Sequence, residues 1–309
     1  MIISRSTYPG ASRYVQHWLG DNLSIWSHLK QSIIGMMEFS LFGFSYTGPD
    51  ICGHIGNATY DMCLRWQMLG AFYPFSRNHN ANFNIRQDPA AWDDEFAEAV
   101  RDIYTERYRL LPYLYTLLYE ANTEGTTVVR PLMMEFTAND KTLEIDEQFM
   151  WGSSLLISPA LSPINYVRAY FPPEAKWYNY FTGEPTKYEY QTFVTELKDI
   201  NVHTRSGSII PMQEPDVVTA KSRLKPFGLL YTLPLEGETG EGKMFWDDGE
   251  SIEYENFIRL GFFGDRKQLT IEPEIVGNLR NLDLPLMANI TIYGLEEDIT
   301  SLSWTSGSG

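Results

Sequence analysis

At Gly125 the chain changes texture, and this restricts the folds open to it more than any other feature of its 309 residues. Before Gly125, short apolar segments alternate with stretches whose apolar residues recur at helical spacing, as in strand–helix units. After it, brief β-branched and aromatic runs at 126–134, 154–157 and 166–171 are bounded by Pro, Gly and Asn. That is the pattern of antiparallel sheets. The expected fold class is therefore α/β plus all-β, in that order along the chain.

Within residues 1–124 the first helix is expected at about 24–42, with Ile25, Leu29, Ile33, Met36, Met37 and Phe39 as apolar positions and Ser24 or Asn22 as its cap. A strand leads into the loop 46–53, a second helix covers about 60–69, and 70–75 reads as a short buried strand. Helices follow from about 92 to 122, where Pro112 starts a new helix or kinks the run. These units match the sixth, seventh and eighth repeats of a (β/α)8 TIM barrel, with Arg5 at the end of the fifth strand. Residues 1–124 are thus expected to be the C-terminal half of a catalytic barrel, which needs its other half to close. The opening Met1-Ile2-Ile3-Ser4 reads as the tail of a strand, so a longer protein is expected. Two antiparallel β-sandwich domains follow, a proximal one at 125–212 and a distal one at 213–309. Residues 211–226 are expected to link them, and 305–309 to form a flexible tail.

Hydrophobic residues make up 43% of the chain, yet the longest apolar stretch, 32–44, is broken by Gly35, Glu38 and Gly43. No membrane span is predicted; membrane attachment would come only from segments outside these residues. The net charge of −16, from 24 basic and 40 acidic residues, opposes nucleic acids and anionic membranes and suits a neutral ligand such as a sugar. Most of the aromatic side chains serve sheet cores. Rings in loops beside carboxylates are the exception, because their flat faces stack on sugars. Cys52 and Cys63 are too few for a metal centre and have no neighbours at ligand spacing, so they are free buried thiols or close one short loop. No metal and no cofactor is expected. Sequons at Asn22, Asn57 and Asn289 fit an oxidising secretory route, although a glycan on Asn22 would block the carboxylate beside it.

Two glycine- and acid-rich segments lead nowhere chemically. Gly237-Glu238-Thr239-Gly240-Glu241-Gly242-Lys243 approaches a phosphate-binding loop, but Met244 stands where Ser or Thr is needed and two glutamates repel phosphate. Trp246-Asp247-Asp248-Gly249-Glu250 lacks the alternating oxygen ligands of a calcium loop and reads as a hairpin turn. The N-terminal region differs. Arg5, Asp21, Asp50 and His79 each fall at a predicted C-terminal strand end, where a barrel would converge them on one face. Any one of them alone reads as a capping or ion-paired residue. Four at successive ends, with Trp18 among them, read as a site that forms charge-assisted hydrogen bonds to sugar hydroxyls.

The segments Arg5-Ser6-Thr7-Tyr8-Pro9-Gly10, His17-Trp18-Leu19-Gly20-Asp21-Asn22, Ile33-Ile34-Gly35-Met36-Met37-Glu38-Phe39, Gly48-Pro49-Asp50-Ile51-Cys52-Gly53 and Phe75-Ser76-Arg77-Asn78-His79-Asn80 resemble glycoside hydrolase family 31. The similarity is greatest to its maltase-glucoamylase, sucrase-isomaltase and lysosomal acid α-glucosidase group. It continues through Phe149-Met150-Trp151-Gly152, Trp177-Tyr178-Asn179, Ile209-Ile210-Pro211-Met212-Gln213 and Trp246-Asp247-Asp248-Gly249-Glu250, weakening after about residue 255. The resemblance implies a retaining α-glucosidase whose substrates are α-glucoside oligosaccharides. It implies that Asp21 is the general acid/base, that Arg5, Asp50 and His79 bind the sugar in the −1 subsite, and that Trp18 walls that pocket. It also implies a disulfide between Cys52 and Cys63 that pins the loop bearing Asp50. His54 is expected to line the pocket where the relatives carry an aromatic ring.

One element of the family pattern does not occur. The nucleophile of such enzymes is the Asp of a Trp-x-Asp-Met-Asn-Glu-like motif on the fourth barrel strand, and this chain contains no such motif. Residues 1–309 alone are therefore expected to be inactive, with the N-terminal half of the barrel as the missing partner. The alternative is a non-catalytic family member that binds carbohydrate or scaffolds a complex. Family members work in lysosomes, on cell surfaces and in the endoplasmic reticulum, so the secretory pathway is the expected location.

Overall fold

Four short parallel segments organise the first third of the chain. The computed structural model describes residues 2–252, 255–278, 282, 285–297, 299, 301 and 303–305; residues 306–309 of the expected tail lie outside the described residues. β1 (Ile3–Ser4) pairs in parallel with β2 (Gln16–His17), and β3 (Asp50–Ile51) pairs in parallel with β4 (Arg77–Asn78). Backbone bonds join the two pairs: the His17 N–H donates to the Tyr46 carbonyl at 3.3 Å, and the Leu19 N–H to the Gly48 carbonyl at 3.1 Å. On the other side the Phe75 N–H donates to the Thr47 carbonyl at 3.2 Å. A Cβ on Gly48 would stand 2.1 Å from the Phe75 carbonyl oxygen, so this close backbone approach requires glycine.

Parallel neighbours need crossover connections, and helices supply them. α1 (Trp26–Leu41) joins β2 to β3, and α2 (Tyr60–Gly70) joins β3 to β4. Leu29, Ile33, Met36 and Met37 are buried as expected, whereas Ile25 lies just ahead of the helix and is exposed. Neither expected cap acts as one. The Ser24 hydroxyl donates to the Gly56 carbonyl, and Asn22 turns toward Asp50.

The strand expected at 70–75 is absent. α2 runs through Gly70, and the chain then turns so that the carbonyls of Ala71, Tyr73 and Pro74 converge on the buried guanidinium of Arg107 at 2.6, 2.6 and 3.0 Å. Carbonyls gathered on one cation are unavailable to a sheet ladder. Arg107 belongs to α3 (Asp94–Arg109), which the Asp93 carboxylate caps, and α4 (Leu111–Glu124) follows with Pro112 in its first turn. Among the described residues no helix is long and apolar enough to cross a membrane.

Beyond Gly125 a five-stranded antiparallel sheet contains β5 (Val129–Arg130), β6 (Phe149–Trp151), β7 (Leu155–Ser158), β9 (Trp177–Asn179) and β11 (Asn201–Arg205). β8 (Tyr166–Phe171) pairs with β10 (Glu189–Val194). The run 126–134 is extended only at Val129–Arg130, because Pro131 ends the ladder and Leu132–Glu135 forms a helical turn. The last region holds two three-stranded sheets. One contains β12 (Ile209–Gln213), β13 (Phe227–Thr232) and β17 (Met287–Tyr293). The other contains β14 (Gly240–Trp246), β15 (Phe257–Gly264) and β16 (Leu269–Val276).

Two expectations change here. The distal sheets are not wholly antiparallel, since β13 and β17 run parallel: the chain leaves β13, builds the β14–β16 meander in another sheet, and returns in the same direction. The boundary expected after Met212 falls inside β12, whose residues pair with β13, so the link between strands is confined to 214–226. Gly240-Glu241-Gly242-Lys243 opens β14 rather than a helix, and the connection from β14 to β15 takes up 247–256. One buried cluster runs from Leu29 and Ile33 of α1 through Trp66 of α2 and Trp151 of β6 to Ile210 and Leu230, so the helical and β regions share a core. Trp151 seals it by donating its indole N–H to the Phe72 carbonyl at 2.6 Å.

Candidate active site

Every residue proposed for the site lies at or just beyond the C-terminal end of a parallel segment. Arg5 follows β1, Trp18 and Asp21 follow β2, Asp50 stands on β3, and His79 follows β4. Neighbouring parallel strands end on the same side, so the four loops share one face.

Asp50 is the fixed point. Its carboxylate is fully buried, and its Oδ1 accepts hydrogen bonds from Arg77 Nε at 3.1 Å and from Arg77 Nη2. Its Oδ2 has no hydrogen-bond partner and lies 4.0 Å from His54 Nδ1, which is likewise buried and without one. Burial pushes the Asp50 carboxyl above its ordinary pKa, against the opposing pull of Arg77 and, more weakly, His79 and His54. The His54 and His79 rings stack with centroids 4.7 Å apart. Arg77 also spans the aromatic wall, its guanidinium 5.6 Å from the Trp18 ring and 5.2 Å from the Phe75 ring. The Trp18 indole N–H is a third buried polar group at this site without a partner. Buried groups of this kind are uncommon in folded proteins, and together they present donors and acceptors to a hydroxylated ligand.

Asp21 and Arg5 form the outer half of the arrangement. The Asp21 carboxylate and the Arg5 guanidinium stand 3.6 Å apart, both well exposed to solvent. Gly20 lies under that guanidinium in the left-handed region, at φ 84°, and a Cβ there would meet Arg5 Nε at 2.5 Å. Asn22, next to Asp21, joins the two halves through hydrogen bonds to the backbone of Asp50. The structure thus links Trp18, Asp50, His54 and His79 through Arg77 and ring stacking, and pairs Arg5 with Asp21 alongside.

Cys52 and Cys63 are disulfide-bonded, tying the loop after β3 to α2. Cys52 takes the left-handed conformation at φ 70°, and Gly53 follows at φ 87° with the Ser24 backbone 2.5 Å from where its Cβ would be. The left-handed pair turns the chain sharply away from Asp50.

Three positioning residues were not in the sequence-derived set. Arg77 lies in the Phe75–Asn80 motif with no role of its own predicted from sequence, and Asn22 reads there as a cap or a sequon. Gln87 was missed altogether. Its buried side-chain amide lies 3.0–3.2 Å from the carbonyls of Ile51, Gly53 and His79 and from Asn78 Oδ1, bracing the loop of Asp50 against the loop of His79. A Gln two residues before a proline offers no sequence signal for such a role.

Residues 1–117 match the glycosyl hydrolases family 31 TIM-barrel domain, and residues 125–210 match the glycosyl hydrolase family 31 C-terminal domain. The chain is 47% identical over 311 aligned residues to a human protein named probable maltase-glucoamylase 2, a match covering 99% of this chain and 12% of that protein. It is 46% identical to human intestinal sucrase-isomaltase, with 89% of this chain and 15% of that one aligned. The chain therefore spans only a small fraction of these relatives. Among solved structures, glucosidase II α subunit in its Glc1Man2-bound form superposes with a TM-score of 0.83 at 29% identity, covering 87% of this chain and 30% of that one.

Proposed function

The chain belongs to glycosyl hydrolase family 31, and we propose that it carries the acid/base side of a retaining α-glucosidase active site acting on maltose-type oligosaccharides. The observation that carries this reading is the buried Asp50 carboxylate, held by Arg77 through one oxygen while the other, unpartnered, lies 4.0 Å from His54 in a group that includes His79. A sugar hydroxyl placed there would satisfy the unpartnered oxygen, while Trp18 offers an apolar face to the ring.

In this reading the four parallel segments are half of a (β/α)8 barrel, and the sheets beyond Gly125 are a proximal and a distal β-sandwich. Asp21, protonated, donates to the glycosidic oxygen while a second carboxylate about 5–5.5 Å away attacks the anomeric carbon. The leaving sugar departs with that proton. Asp21, now ionised, accepts a proton from the water that attacks the glycosyl-enzyme, and the sugar is released with its anomeric configuration retained. Exposure of Asp21 beside Arg5 gives it access to both leaving group and water. The nucleophile has no counterpart among the motifs of residues 1–309, so these residues alone are proposed to be inactive. The disulfide is compatible with an oxidising secretory compartment.

Asp21→Asn in the complete protein tests the assignment. Maltose turnover should fall about 10²–10⁴-fold, the range expected for loss of a general acid. Turnover at the wild-type rate would exclude Asp21 from the role. A wild-type protein that binds the sugar without turning it over would indicate the binding-only alternative.

A further inference from the structure

Asp50, His54 and His79 meet a requirement that no segment of the sequence displays: among the described residues they offer three potential metal-ligand atoms within 4.8 Å of one another. Asp50 Oδ1 is engaged by Arg77, which leaves Oδ2; that oxygen and His54 Nδ1 are buried, lack hydrogen-bond partners, and lie 4.0 Å apart. The His79 ring, stacked at 4.7 Å on His54, closes the group on its exposed side.

The backbone beneath these side chains is braced. The His54 carbonyl accepts from the Ala81 N–H at 3.2 Å and from Asn84 Nδ2 at 2.8 Å, so the two histidine-bearing loops hold each other. Gln87 fixes the His79 carbonyl to the same frame at 3.1 Å. One carboxylate oxygen and two imidazoles are the donor set of a zinc-type site rather than of a magnesium or calcium site. Ligand atoms around a tetrahedral zinc lie about 3.3 Å apart. Closing from 4.8 Å to that spacing requires the two stacked rings to rotate on this fixed frame.

We propose that Asp50, His54 and His79 bind one divalent ion of the Zn²⁺ class, and that this ion and the sugar exclude each other. The metal site stands on its own geometry; the exclusion rests on the reading of Asp50 and His79 as sugar-binding residues. Bound metal would occupy Asp50 Oδ2 and the imidazole nitrogens, the same atoms a sugar would engage, and would make the site an inhibitory one.

Calorimetric titration of the complete protein with ZnCl2 tests this directly. One Zn²⁺ should bind, His54→Phe should weaken it at least about tenfold, and Mg²⁺ should show no comparable binding. Zn²⁺ affinity equal in wild type and His54→Phe overturns the site. If that variant fails to fold, His79→Ala on the exposed edge gives the same comparison. Repeating the titration with saturating 1-deoxynojirimycin, a glucose-shaped iminosugar, should lower the apparent Zn²⁺ affinity. An iminosugar that binds and leaves Zn²⁺ affinity unchanged overturns the exclusion. An iminosugar that does not bind overturns the sugar-site reading, while the first titration still decides the metal site.

Discussion

Asn22 holds the backbone of Asp50 at two points: its Nδ2 donates to the Asp50 carbonyl at 3.0 Å, and its Oδ1 accepts the Asp50 N–H at 3.0 Å. A side-chain amide thereby does what an adjacent strand would do, and it does so one residue after Asp21. Asn22 thus adds to the backbone bonds that hold the acid/base candidate and the buried carboxylate in register.

Asn22→Ala should therefore lower stability by about 1–2 kcal/mol, the cost of leaving half-buried backbone groups unpaired. Sugar affinity should suffer more, because Asp50 loses its placement. Asn22→Asp keeps the acceptor, loses the donor, and should fall between. Thermal melts and inhibitor titrations on the three proteins give the order. With Nδ2 turned inward onto Asp50, the Asn22 sequon should also be unglycosylated in protein expressed through a secretory route, which peptide mapping checks.

Arg77 is the sole hydrogen-bonding cation on Asp50 among the described residues, and it also rests on Trp18 and Phe75. Arg77→Met keeps much of the apolar stem and leaves a buried carboxylate unpaired. Losing one partner of a buried pair costs about 3–5 kcal/mol; Arg77 is one-third exposed, which places the expected loss near the bottom of that range. Denaturant unfolding measures it. A loss under about 0.5 kcal/mol would mean that water, rather than Arg77, stabilises the charge.

The Cys52–Cys63 bridge closes a short loop, for which about 2–4 kcal/mol of stabilisation is typical. Cys63→Ser should lower the melting temperature accordingly and reduce sugar affinity, since Asp50 stands two residues from Cys52. Reducing agent should lower the melting temperature of the wild type and leave that of the variant unchanged.

The strand–helix units were legible because each is a contiguous run whose apolar spacing is set by its own residues. The strand misread at 70–75 shows the limit of that. Ala71, Phe72, Tyr73 and Phe75 are as apolar as a strand requires, but Arg107, more than thirty residues away, collects their neighbouring carbonyls. The site was legible to the same extent. Arg5, Trp18, Asp21, Asp50 and His79 each sit in a recognisable short motif. Asn22 and Gln87 act on backbone atoms of distant loops, and a polar residue whose partner is a backbone group leaves no pairing pattern in sequence. His54 and His79 were expected in one pocket, but two histidines twenty-five positions apart carry no sign that their rings stack.

Two buried histidines give the protein a defined acid sensitivity. His203 on β11 has both ring nitrogens without hydrogen-bond partners and packs against the Phe171 and Phe193 rings. Burial lowers its pKa from 6.5 to about 3. His17 is stacked on Phe39 at 3.6 Å, and burial, offset in part by a hydrogen bond with the Arg5 backbone, lowers its pKa to about 4. The unfolded chain takes up both protons as pH falls through 6.5, whereas the folded chain takes them up only near 3 and 4. Stability is therefore full above pH 6.5 and lost progressively below it, at about 1.4 kcal/mol per pH unit for each histidine until its folded pKa is reached. At pH 5 the expected loss is roughly 2 kcal/mol from each. His203→Leu removes a polar ring that pairs with nothing and replaces it with an apolar side chain among aromatics. It should be neutral or stabilising at pH 7 and clearly stabilising at pH 5, shrinking the gap between the two melting temperatures. An unchanged gap would mean that the His203 ring is already hydrated in the fold.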